Sequence, residues 1–202
     1  MSQQQTLSVP PKAIPQGRLG IWILIAGELV IFGGLIAAYL MNRLRYPDQW
    51  SEQAAHTSTF FGAFNTVVLL FSSYSIVRAH AAATRAQVNK VLVWMSITIG
   101  CGLLFLVNKT IEYSGEISHG FTMTSPRLQE AGNQIGSLFW SFYYTMTGLH
   151  GTHVLAGMVA MLIVMAGVRK GKNLHRVELV GMYWHMVDLI WIFLFPLLYI
   201  AK

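Results

Sequence analysis

The stretch LGIWILIAGELVIFGGLIAAYL (Leu19–Leu40) holds twenty-two residues with a single charge, Glu28. As a helix it rises about 33 Å, enough to cross the hydrocarbon core of a bilayer. Backbone groups facing lipid find no water to bond, so a segment this apolar is expected to be helical. Four more stretches of the same kind follow, at Phe60–Val77, Val91–Ile111, Ile135–Val168 and Leu179–Ile200. Only 11% of the 202 residues are charged, against about 25% in soluble domains. The missing charge excludes a disordered chain and argues against a water-soluble globule. The expected fold class is all-α: a polytopic membrane protein whose five transmembrane helices form one bundle over 19–202. Residues 1–18, polar and carrying Pro10, Pro11 and Pro15, read as a flexible cytoplasmic tail. A signal peptide fits poorly, because the tail is long and the apolar run exceeds an ordinary h-region.

Charge sets an expected orientation. The tail and the loops after spans two and four carry Lys12, Arg18, Arg78, Arg85, Lys90, Arg169, Lys170, Lys172 and Arg176, opposed only by Glu178. The other side balances Arg43, Arg45, Lys109, Arg127 and Lys202 against Asp48, Glu52, Glu112, Glu116 and Glu130. The positive-inside rule then places the N-terminus in the cytoplasm and the C-terminus outside. The net charge of +6 is accounted for by this asymmetry and does not call for nucleic acid. Tyr46, Trp50, Tyr113, Trp140 and Tyr199, near span ends, are expected in an interfacial aromatic belt.

Polar residues inside the spans are costly and mark candidate sites. Glu28 lies about 13 Å into the first span, either as a shielded carboxyl that packs helices together or as a proton-handling group. His185 and Asp188, three apart, share a face of the fifth span, and His150 and His153 share one in the fourth. Glu112 closes the third span, with His150 its expected basic partner. These five residues read as a structural polar network. The lone Cys101 rules out a disulfide framework and a cysteine-built metal site. The His-x-x-His pair lacks the further ligands of a zinc motif, and no metal site or catalytic residue is assigned. Gly148, Gly151 and Gly157 suit close helix packing, and Ser72, Ser73 and Ser75 suit bonds to carbonyls.

The same residues sit in phrases that resemble subunit III of the haem-copper terminal oxidases, the cytochrome c oxidase subunit 3 family. Tyr183-Trp184-His185-Met186-Val187-Asp188, followed by Trp191, is similar to its Tyr-Trp-His-Phe-Val-Asp-x-x-Trp phrase, with Met186 for Phe. His150-Gly151-Thr152-His153-Val154 resembles its His-x-x-His-Val stretch. Gly27-Glu28 with Phe32 resembles Ser-Glu-x-x-x-Phe, with Gly27 for Ser. Asn65-Thr66 with Leu69-Leu70 is similar to Asn-Thr-x-x-Leu-Leu. Phe105-Leu106 with Glu112-Tyr113 resembles Phe-Leu…Glu-Tyr, with Lys109 where many members have Gln. Five phrases fall in order on five spans, from about Gly20 to Ile200.

The resemblance implies the short five-helix bacterial form, in the bacterial cytoplasmic membrane. It implies an accessory, cofactor-free subunit that packs on oxidase subunit I beside other oxidase subunits and supports proton uptake. Haem and copper are expected in those partners, and bound phospholipid is possible. Glu28 matches the family's carbodiimide-reactive carboxyl. A subunit of a quinol oxidase or a nitric-oxide-reductase-associated protein is the near alternative. Outside the family stand a membrane cytochrome b, using His150 or His153 with His185 as haem ligands, and a small transporter using Glu28 and Asp188.

Overall fold

A computed structural model describes residues 16–122, 134–172 and 174–200. Among these every regular element is helical: α1 (Gln16–Arg45), α2 (Pro47–Ala55), α3 (Thr59–Thr84), α4 (Val88–Ser118), α5 (Gln134–Arg169) and α6 (Arg176–Phe195). A π-helical turn, Pro196–Ile200, continues α6. Five of these helices are long and apolar enough to cross a membrane, matching the five stretches in the sequence. Their ends run further than hydropathy alone suggested. Helix α1 already starts at Gln16, and the rest of the expected tail, residues 1–15, lies outside the described residues. Helix α4 runs on to Ser118, so Glu116 sits on it, buried, and residues 123–133 lie outside the described segments.

Helix α2 was not anticipated. Pro47 stands at its first turn, where a missing N–H costs nothing. Its Trp50 is wholly buried, set edge-on to Tyr39 and Phe139, with ring centroids 5.2 and 5.5 Å away. Gln53 Oε1 accepts from Trp140 Nε1 at 3.1 Å. This corrects the aromatic belt: Trp50, Trp140 and Tyr199 are buried between helices, where their polar tips find protein partners or their rings pack in the core.

Helices α3 and α4 form the most extensive pair, reversed through Arg85–Gln87, with Ala86 in the left-handed region at φ 54°. Helix α6 packs on α1, α3 and α5. Its Trp184 donates to Ser72 Oγ at 2.8 Å and lies so close to α5 that a Cβ on Gly157 would come within 2.8 Å of the indole. Gly157 therefore serves close packing as expected. Gly148 and Gly151 are not required for it: a Cβ added there would meet its nearest neighbour at 4.0 and 3.7 Å respectively, and both glycines line a groove between α4 and α5. Helix α1 stands at the edge of the bundle. Only 6% of its apolar window is covered by the rest of the chain, against 50% for α6.

Candidate functional site

Two polar centres lie inside the bundle, and they differ in kind. The first joins α1 to α5. Glu28 Oε2 is 2.9 Å from His153 Nε2, with side chains 17% and 15% exposed. His153 Nδ1 is 2.7 Å from the carbonyl of Leu149, a group that only accepts, so Nδ1 carries a hydrogen. Glu28 Oε2 and His153 Nε2 are thus in close contact, although that carboxyl oxygen makes no hydrogen bond among the described residues. Phe32 places its ring edge-on to His153 at 5.6 Å, and Tyr183 donates to the His153 carbonyl at 3.2 Å.

The second centre ties α4 to α5 and to the C-terminal turn. Lys109 Nζ donates to Glu112 Oε2 at 2.9 Å, to Tyr199 at 2.8 Å and to Tyr143 at 3.1 Å, so each of its three hydrogens has an acceptor. Tyr143 and Tyr199 donate to Glu112 Oε1 at 2.6 and 2.7 Å. The Lys109 and Glu112 side chains are 6% and 1% exposed. The rings of Tyr113, Tyr143, Trp191 and Tyr199 lie 4.8–5.8 Å from the ammonium. Two hydroxyls hold the turn itself: Tyr39 and Thr59 donate to the carbonyls of Leu197 and Tyr199, while the Thr57 hydroxyl, bonded to the Ala54 carbonyl at 2.8 Å, lies 3.3 Å from that of Leu198. These are carbonyls that a helix end leaves without intrahelical donors.

The expected residues are therefore not one network. Glu28 and His153 meet. Glu112 pairs with Lys109 and not with His150, whose ring is buried between Phe105 and Trp191, with neither nitrogen bonded among the described residues. His185 Nδ1 bonds to Ser73 Oγ at 2.7 Å rather than to Asp188, whose carboxyl oxygens have no hydrogen-bond partner among the described residues. Lys109, Tyr143 and Tyr199 were missed as site members. The Lys109–Glu112 spacing of three within an apolar helix was the available signal.

A bis-histidine haem does not suit this arrangement. His153 has both nitrogens engaged, one His185 nitrogen is taken by Ser73, and His150 is enclosed by aromatic rings. Among the described residues no three His, Cys, Asp or Glu side chains are placed to hold a metal ion.

The family model described as cytochrome c oxidase subunit III matches residues 10–202. The chain belongs to the cytochrome c oxidase subunit III family. It is 33% identical to cytochrome c oxidase subunit 3 of Corynebacterium diphtheriae over 190 residues, covering 91% of this chain and 87% of that protein. It is 32% identical to the subunit 3 of Thermostichus vulcanus, over 90% of this chain and 86% of the relative. The subunit 3 of a Bacillus species is 30% identical, with coverage of 90% and 84%. Membership in this family makes the chain a subunit III of a multi-subunit terminal oxidase and a multi-pass membrane protein. Within subunit III, Glu28–His153 is the centre on the thinly covered helix α1, and Lys109–Glu112 is the sealed one.

Proposed function

We propose that this subunit III is non-catalytic and cofactor-free, and that it steadies subunit I of a bacterial cytochrome c oxidase and sustains its proton uptake. The observation that carries this reading is the contrast in bonding between the two centres. The chain invests its strongest polar contacts in holding helices together, while the contact of Glu28 with His153 lies on the helix least covered by its own fold. The names of the relatives favour cytochrome c over quinol as the electron donor. Haem and copper reside in the partner subunits, where oxygen is reduced. The basic loops put the N-terminus in the cytoplasm and the C-terminus outside, in the bacterial cytoplasmic membrane. Glu28 is the carboxyl that a hydrophobic carbodiimide modifies, while Glu112, His150, His185 and Asp188 serve helix packing.

A difference spectrum tests the reading. Haem is expected in the complex that co-purifies with the tagged chain in mild detergent, and none on the chain after dissociation. Haem retained by the stripped chain, or no haem in the complex, would overturn it.

A further inference from the structure

A cavity of about 430 Å³ lies between the α2–α3 connection and the last turns of α4. Two carboxyls of α4 line it, Glu112 and Glu116, one turn apart on the same face. Glu112 is fully engaged by Lys109, Tyr143 and Tyr199. Glu116 is not. It is only 8% exposed, yet no hydrogen bond or ion pair, an imidazole's included, reaches its carboxyl among the described residues. Lys109 has given its three hydrogens to Glu112, Tyr143 and Tyr199. His119, which also lines the cavity, places Nδ1 2.7 Å from the Gly115 carbonyl.

A buried carboxylate without a counter-charge is costly, so the group that meets Glu116 must be positive. The rest of the lining suits a cation on an apolar stem. The Ser58 hydroxyl can accept a further hydrogen bond. Phe61 and Ile111 offer apolar surface to aliphatic carbons, and the Phe61 ring can lie beside the cationic head. Phe121 is held against Trp140 and His56, with ring centroids 5.0 and 4.5 Å away, so that wall is fixed before anything binds. A metal ion does not suit the cavity, because among the described residues no three His, Cys, Asp or Glu side chains converge to hold one.

We propose that this cavity is a socket for a lysine or arginine side chain of a neighbouring oxidase subunit, which pairs with Glu116 while its stem lies along Phe61 and Ile111. The socket rests on the place of this chain in an oxidase complex. That place is checked first, by haem co-purifying with the wild-type chain, so a failure there is read separately.

Dissociation of the chain from the complex in mild detergent, followed by native mass spectrometry, reads the socket. Glu116→Gln should speed dissociation by about thirtyfold or more, because truncating one partner of a buried charge pair acts on the off-rate. The same variant should leave the isolated chain at least as stable to heat, since it removes a charge that nothing there pairs. Glu52→Gln, which alters an exposed carboxyl on α2 outside the cavity, should dissociate at the wild-type rate. Wild-type dissociation of Glu116→Gln would mean that a proton or a lipid amine meets the carboxyl, and would overturn the socket. A lower melting temperature of the isolated Glu116→Gln chain would make Glu116 an internal packing group and overturn it too. An equal gain in dissociation from Arg127→Gln would assign the carboxyl to a cation of this chain, with the same consequence. If Glu116→Gln does not stay folded, Ser58→Arg decides. It supplies a cation from within and should speed dissociation; an unchanged rate contradicts the proposal.

Discussion

The Lys109–Glu112 centre and the Glu28–His153 pair both place a carboxylic acid inside an apolar bundle, yet they solve the problem oppositely. Glu112 receives three donors from three elements and is sealed from its surroundings. Glu28 receives one partner and stays partly open, on a helix that little else in the chain covers. A buried charge whose hydrogen bonds are all met is fixed in place, because any movement strands it unpaired. A carboxyl with a single close partner and an open side can react without dismantling the fold. The difference separates a clasp from a candidate working group, although both residues look alike in a hydropathy profile.

The comparison breaks most readily at Lys109. Lys109→Met leaves the Glu112 carboxyl buried beside two phenols and should cost about 3–5 kcal/mol, read as thermal stability in detergent. Lys109→Met with Glu112→Met should cost less than the single change, since no charge is then stranded. Equal or greater loss in the double variant would mean the ion pair is not the clasp. Next in size, Tyr199→Phe removes one donor to Glu112 and one acceptor of Lys109, and should cost about 1–3 kcal/mol in the same assay. At the other centre, Glu28→Gln should change stability by about 1 kcal/mol or less while abolishing carbodiimide modification at that position. A collapse of assembly in that variant would erase the distinction between the two centres. Smallest of all, Ser73→Ala should cost about 0.6 kcal/mol, the average worth of an interhelical hydrogen bond in a bilayer, by releasing His185. No change on thermal unfolding would show that bond to be idle.

The five spans were legible because a bilayer demands an apolar run of fixed length wherever a helix crosses it. Helix α2 was not, since nine residues with Trp50 and Ala54 as its wholly buried apolar side chains carry too little hydropathy to stand out. Pro47 with Asp48 in its first turn was the signal passed over. Glu28 and His153 were both singled out, but their meeting across 125 residues is a property of helix packing, not of spacing along one helix. The same limit misassigned His150 to Glu112: both lie on facing helices, yet Lys109, one turn from Glu112, satisfies it first. The expected contact between His185 and Asp188 shows the converse. Residues three apart share a face, but Ser73 on a neighbouring helix took the imidazole.

The most direct measurement maps sites of modification by a hydrophobic carbodiimide in the membrane-embedded complex, using peptide mass spectrometry. A partly open Glu28 and a sealed Glu112 should give modification at Glu28 alone of the two. Modification of Glu112 as fast as Glu28, or an inert Glu28, would contradict the division of the bundle into a clasp and a reactive pair.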